Sequence, residues 1–221
     1  MPAPIPASVA DPGAVALSTP RSTSEWEAAY RHPVPRSFYD RPTVRVARDL
    51  LGCYLVRPPG PGGEEGWRAG RVVETEAYVA NDPANHASRG MTERNRSMFL
   101  GPGHLYVYRI HQVHCANLTT AEGQAVLLRA VEPVTDLPSP PRGPGRLCRA
   151  FGLDRSHDGL DAIEGEVRIL PRVAPPRRIV AAPRVGIRLA ADRPLRFLED
   201  GSAWVSKRPP EKGRRKQNDR R

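Results

Sequence analysis

The chain has 221 residues, 26% of them charged, and a formal net charge of +10: long enough for one domain with a core of its own, and too basic to be indifferent to polyanions. A pI near 10.2 points to nucleic acid first and a membrane surface second, while no apolar run approaches the roughly 20 residues of a membrane span. Residues 1–20 hold no Lys or Arg, so they lack the basic start of a secretory signal, and Cys53, Cys115 and Cys148 are an odd set without paired spacing, which argues for a reducing compartment and against a disulfide framework.

Residues 1–35 are rich in Pro, Ala and Ser and read as a disordered leader, with a short helical pattern at Ser24–Tyr30. The folded domain is expected over 36–207, starting near Phe38. Asp40-Arg41-Pro42 reads as a helix start, Val46/Leu50 and Ala47/Leu51 give helical spacing, and Gly52 ends it. Cys53–Val56 reads as a strand and 58–63 as a Pro/Gly loop. No strand–Gly-x-Gly–helix pattern accompanies that loop, so it is not read as a nucleotide-binding loop, and no cofactor is expected.

The central strand is expected over 69–79, closed by the turn Asn81-Asp82-Pro83. Alternation puts Glu74, Glu76 and Tyr78 on one face and Val73, Thr75, Ala77 and Val79 on the other, which reads as core. Two carboxylates beside a phenol, followed by His86 and Arg89, can make a site that holds an aromatic ring and activates water. From spacing alone the same residues fit a solvated edge strand equally well. Residues 91–99 read as a short helix or turn, with Arg94 and Arg96 as phosphate contacts or a solvated basic face. Leu105–Ile110 is a strand with Tyr106 and Tyr108 on one face, and 111–118 reads as a hairpin or bulged turn back into a second strand. His111, His114 and Cys115 have no matching second His/Cys pair for a structural zinc, nor the His-x-Glu pattern of a zinc deaminase, so no metal is expected.

Ala125–Val131 is a strongly apolar strand with one charge, Arg129, whose expected partner is Glu76. A Pro-rich loop at 135–146, a helix at Arg146–Gly152 and short strands at Val167–Leu170, Arg184–Leu189 and Leu195–Leu198 follow. Residues 207–221 carry eight basic and two acidic residues and all the lysines of the chain. The basic tail, 208–221, is expected to be disordered and to add salt-sensitive attraction to DNA. Short strands with a few helices give one α+β domain around a curved antiparallel sheet.

Val73-Glu74-Thr75-Glu76-Ala77-Tyr78, His86, Arg89-Gly90, Arg94-Asn95, Met98-Phe99 and Pro102-Gly103-His104-Leu105-Tyr106-Val107-Tyr108 resemble the alkyladenine (3-methyladenine) DNA glycosylase family. The resemblance runs on through Cys115-Ala116-Asn117, Val126-Leu127-Leu128-Arg129-Ala130, Glu132-Pro133, Gly143-Pro144-Gly145, Leu147-Cys148, Arg184-Val185-Gly186, Pro194-Leu195-Arg196-Phe197 and Trp204-Val205-Ser206. It covers about residues 37–207, in order.

The resemblance implies a compact domain whose β-hairpin enters the minor groove of double-stranded DNA and flips a damaged purine into a pocket. It implies base excision by hydrolysis of the N-glycosidic bond, with Glu76 as general base and Arg129 and the Val185 carbonyl holding the water. Tyr78 and His86 would sandwich the base, Tyr108 would pack at its edge, and Asn117 would exclude guanine through its 2-amino group. Glu74 reads as structural. Family members carry a tyrosine wedge; the aligned residue here is His111, on a hairpin one residue shorter, with Gln112 as the alternative. The body has no lysine to form a Schiff base, so strand cleavage is not expected; the loophole is Pro2, if Met1 is removed. DNA contacts are expected from His111, Arg89, Arg94 and Arg96. The protein is expected to work as a monomer in the cytoplasm, on the nucleoid if it is bacterial, with no membrane partner.

Overall fold

The computed structural model describes residues 18–60 and 66–208. Residues 1–17 of the leader (Pro2 included), residues 61–65 around the Pro/Gly loop, and 209–221 of the basic tail lie outside the described residues.

The sheet is built on β2, Arg68–Tyr78. Val72, Val73, Thr75 and Ala77 of this strand are all 0% exposed, as β-branched and small residues on a doubly covered strand should be. Around it stand β1 (Tyr54–Arg57), β3 (Leu105–Ile110), β4 (Val113–Thr119), β5 (Ala125–Pro133), β6 (Arg168–Leu170), β7 (Ile179–Ala182) and β8 (Arg196–Glu199). The order is β3-β4-β5-β2-β1-β6; β8 pairs with β2 where β1 has ended, and β7 pairs with β8. Every pairing is antiparallel. With four short helices among the described residues, α1 (Thr23–Tyr30), α2 (Arg36–Tyr39), α3 (Thr43–Asp49) and α4 (Pro144–Phe151), the class is α+β.

The β2–β5 ladder slips at one place. Val72 pairs with Val131, Glu74 with Ala130 and Thr75 with Leu128, so Val73 and Arg129 are passed over. Such a bulge bends a strand and re-aims its side chains. Here it frees Arg129, the one charge within the apolar run 125–131, to turn toward the carboxylates of β2.

The main core lies between the sheet and two helices, where Val46, Ala47 and Leu50 on one side and Leu147, Ala150 and Phe151 on the other meet Val72, Ala77, Val126 and Leu128. The Thr75 hydroxyl donates to the Ala47 carbonyl at 2.8 Å and locks α3 onto the middle of β2. α4 starts two residues before the expected Arg146 because Pro144 suits a first helical turn. It stops at Gly152, whose φ of 65° is the left-handed cap that glycine takes most cheaply.

Several expectations are corrected. Half of the expected leader is part of the fold: Ser22 and Glu25 form a reciprocal cap at the start of α1, and Trp26, 3% exposed, packs on Tyr54, Val56 and Leu170. A Pro/Ala/Ser average hides a single large aromatic that has a place to go. The helix expected from Asp40 begins at Thr43, because a residue before proline avoids helical geometry and Arg41 precedes Pro42. The strand expected at Arg184–Leu189 is irregular: it turns at Gly186, φ 79°, and is held by side-chain contacts instead of a ladder. β7, at Ile179–Ala182, was not expected. No helix among the described residues is long and apolar enough to cross a membrane.

Candidate active site

Two carboxylates and one arginine form a buried chain. Glu74 and Glu76 are 0% exposed and Arg129 is 5%. Arg129 Nε donates to Glu74 Oε1 at 3.0 Å, and its Nη1 lies 3.1 Å from Glu76 Oε1. The expected Arg129–Glu76 pair is therefore shared with Glu74. Glu74 also accepts from Arg196 Nη1 at 2.9 Å and from the backbone N–H and hydroxyl of Ser206 at 2.6 and 2.9 Å.

Glu76 is held differently. Its Oε1 accepts the Val185 N–H at 2.8 Å and its Oε2 accepts the Tyr78 hydroxyl at 3.0 Å. Burial pushes its carboxyl above the ordinary range, against the pull of Arg129, the Val185 N–H and the Tyr78 hydroxyl. Burial opposes the charge on Arg129 too, but Glu76 and Glu74 outweigh it and hold the guanidinium charged. Val185 was expected to act through its carbonyl; the contact seen here is made by its N–H.

Glu76 opens on a cavity of about 260 Å³, to which Tyr78, His86, Tyr108, Asn117, Arg129 and Val185 also contribute. The residues that the sequence singled out for the base pocket thus meet in one place, carried by four neighbouring strands and two loops. The His86 ring stands edge-on to Tyr108, centroids 4.5 Å apart, and its Nδ1 is 2.9 Å from the Tyr106 hydroxyl. Partial burial pulls the His86 pKa below its ordinary value, which favours the uncharged ring. Burial raises the Tyr106 phenol well above its ordinary value, which keeps it protonated. Asn117 Nδ2 donates to the Tyr106 carbonyl at 2.9 Å, which fixes the orientation of its amide.

Other residues hold these in place. The Arg184 guanidinium sits 4.7 Å from the centre of the Tyr78 ring, and it is fixed by a fully buried ion pair with Asp82 and by the Ala77 carbonyl at 3.1 Å. The loop carrying His86 is tied by Asn95, whose Nδ2 donates to the carbonyls of His86 and Gly90 at 2.9 and 3.1 Å. Sequence reasoning named Arg184, Asp82, Asn95 and Cys115 only as motif or turn residues and gave none of them a role at the pocket. Cys115 pairs with Tyr108 across the hairpin, so alternation along β4 could have found it; the loop contacts have no local signal.

A second, more open hollow of about 540 Å³ adjoins the first and shares His86, Tyr106 and Tyr108 with it; Arg94, Arg109 and Arg155 line its other side. Arg89, Arg94 and Arg96 are all exposed. Arg94 reaches this hollow, whereas Arg96 is loosely paired with Glu93 at 3.6 Å and Arg89 borders neither hollow. The expected hairpin is β3–β4, closed by His111 and Gln112 at φ 45° and 66°. Among the described residues no group of three or more His, Cys, Asp and Glu is placed to hold a metal ion.

The family model for methylpurine-DNA glycosylase matches residues 37–203. The chain belongs to the methylpurine-DNA glycosylase family. Similar proteins include a "Putative 3-methyladenine DNA glycosylase" of Methanoculleus marisnigri, 46% identical over 195 residues that cover 79% of this chain and 99% of that one. Proteins of the same printed name from Myxococcus xanthus (45% over 194 residues, 83% and 97% covered) and an Anaeromyxobacter species (47% over 194 residues, 82% and 98% covered) match equally well. Membership places this chain among the DNA-repair hydrolases that act on N-glycosyl bonds, with DNA as substrate.

Proposed function

We propose that this glycosylase flips damaged purines out of double-stranded DNA, among them 3-methyladenine, 7-methylguanine, hypoxanthine and etheno-adenine, and hydrolyses the N-glycosidic bond with a water activated by Glu76. The observation that carries the reading is one buried carboxylate, gripped by Arg129 and the Val185 N–H, at the edge of a cavity walled by Tyr78, His86 and Tyr108. The bond to be cut is shielded inside the duplex stack, so the nucleotide has to leave it. A flipped base gains about 1–3 kcal/mol from each aromatic stacking contact. Tyr78 and His86 offer the flat surfaces, and Tyr108 packs at the edge. With the Tyr106 hydroxyl donating to Nδ1, neutral His86 keeps Nε2–H free to donate to the nucleotide.

Water oxygen bonds to the sugar C1′ and gives its proton to Glu76. The C1′–N bond breaks and its electron pair goes to the base. A cationic purine such as 3-methyladenine or 7-methylguanine leaves neutral and needs no second carboxylate as acid, whereas neutral hypoxanthine or etheno-adenine leaves with the electron pair and takes a proton from solvent water. The transition state is cationic at the sugar, and ionised Glu76 stabilises it while taking the proton. Asn117, fixed by the Tyr106 carbonyl, opposes the 2-amino group of normal guanine; 7-methylguanine carries the same group, but its positive charge weakens the C1′–N bond enough for release despite the poorer fit. Arg89, Arg94 and Arg96 contact phosphates, Arg129 and the Val185 carbonyl orient the water, and the protein acts as a monomer in the cytoplasm. Among the described residues the cavity has no lysine in its lining, so no Schiff base forms from that wall and the reaction there is hydrolysis alone.

The test is release of free base from a duplex with hypoxanthine opposite thymine and from methylated DNA, by wild type and Glu76→Gln, with EDTA present. Release by wild type that disappears in the variant supports the reading. Tight DNA binding with no release from either substrate would overturn it.

A further inference from the structure

The hairpin that should open the duplex has a polar tip, and neither of its two tip residues borders the pocket. His111 and Gln112 make a two-residue turn in which both take left-handed φ values, 45° and 66°, without a glycine. The Gln112 side-chain oxygen accepts from Arg109 Nη2 and is already engaged.

One residue earlier the situation changes. Tyr106, Tyr108 and Ile110 alternate onto one face of β3, the face that lines the pocket. Ile110 is the last of the three, and it borders both the pocket and the adjoining open hollow. It is 44% exposed, and of the large exposed apolar side chains among the described residues (Met91, Leu100, Ile110, Val173 and Leu189) it alone lies at the pocket.

Its partner across the ladder is Val113, and Val113 is not free. A Cβ built on Gly145 would fall 2.8 to 3.1 Å from three carbons of the Val113 side chain. The first turn of α4 therefore packs directly on Val113. Val113 anchors the end of the hairpin to the body, and Ile110 projects from that anchored end into solvent.

We propose that Ile110, and not His111 or Gln112, is the side chain that enters the base stack and fills the gap left by the flipped nucleotide. This rests on the glycosylase reading above. An intercalating wedge works by displacing stacked bases with apolar surface. Ile110 supplies apolar surface at the pocket mouth, on a strand held by its ladder, whereas a hydrated imidazole at the turn would have to shed water to do the same. The residue acts in opening the duplex, not on the reacting atoms.

The experiment compares Ile110→Ala, Ile110→Leu, His111→Ala and Gln112→Ala with wild type. Single-turnover release of hypoxanthine is measured from a duplex and from the same strand alone, and unstacking is read from 2-aminopurine placed beside the lesion. Ile110→Ala is expected to lose roughly tenfold in duplex activity, from the apolar surface removed, together with the fluorescence rise. The loss on the single strand should be several-fold smaller, because there is no opposing stack to part. Ile110→Leu restores duplex activity, and the two tip variants lose less than Ile110→Ala. Wild-type-like unstacking by Ile110→Ala, or a larger loss in His111→Ala, overturns the proposal while leaving the glycosylase reading standing. Absence of base release and of unstacking by wild type on every substrate overturns that reading, and this proposal with it.

Discussion

Replacing Glu76 by Gln should abolish catalysis while leaving the fold as stable as before. Glutamine fits the site: its Oε1 can still accept the Val185 N–H at 2.8 Å and face Arg129 Nη1 at 3.1 Å, and its amide can point at the Tyr78 hydroxyl, which turns round to accept. Two opposing effects on stability follow. Arg129 loses the charge of one partner but keeps Glu74 at 3.0 Å, a cost of about 1–2 kcal/mol for weakened charge-assisted bonds. Against that, the folded pKa of Glu76 lies above its ordinary value because of burial. A carboxyl shifted this way adds stability below its unfolded pKa and loses it as pH rises through the folded one. Near pH 7 the ionised group is therefore a burden that Gln removes. The net change should be smaller than that cost of about 1–2 kcal/mol, which for this chain length keeps the fall in Tm below roughly 8 °C. Catalysis has no such offset: loss of a general base costs about 10²–10⁴-fold. Single-turnover base release and a thermal melt on one preparation decide the matter. Activity within about threefold of wild type would refute the role of Glu76 as base, and a fall in Tm of 10 °C or more would refute the account of the site as a strained but replaceable charge.

The same shift sets a pH limit. Base release should fall as pH drops through a midpoint above the ordinary 4.5 of a glutamate, because the protonated form cannot accept from water; a profile flat down to pH 4.5 would contradict this. Arg129→Met should abolish activity and also destabilise the fold by about 3–5 kcal/mol, since it removes the cation shared by two fully buried carboxylates; a wild-type melt would contradict it. Trp26→Ala should cost about 3 kcal/mol, the lower end for an aromatic truncated in a core, because Trp26 packs in a small satellite cluster and not in the main core. Urea denaturation reads that loss, and no change would show that α1 is not part of the cooperative fold.

The site was legible in the sequence where it obeys a short-range rule. Alternation along β2 put Glu74, Glu76 and Tyr78 on one face, and in the structure Arg129 bridges the two carboxylates while Tyr78 donates to Glu76. Alternation along β3 likewise put Tyr106 and Tyr108 together, and both rings meet His86. What stayed hidden depends on register and on distant segments. The slip at Val73 and Arg129 leaves no composition signal. Ser206 and Arg196 reach Glu74 from more than 100 residues away. The stretch after Pro183 has the apolar alternation of a strand, yet it is held by side-chain contacts: the Arg184 guanidinium pairs with Asp82, and the Val185 N–H donates to Glu76.

The two glutamates of β2 show how one residue type on one strand face is put to two uses. Glu74 is surrounded: two arginines and both donors of Ser206 close on it, and it does not border the cavity. A carboxylate so enclosed can hold its neighbours but cannot reach a substrate. Glu76 shares one of those arginines, and it borders the cavity. Its remaining direction faces the space a flipped nucleotide and its water would fill. Glu74 keeps Arg129 in place and the slip in the ladder lets Arg129 face both carboxylates. The burial that raises the Glu76 carboxyl is then sustained by a network in which Arg129 borders the cavity and Glu74 does not. A change at Glu74 should accordingly reach catalysis only through Arg129, and the two losses should be far from additive when combined.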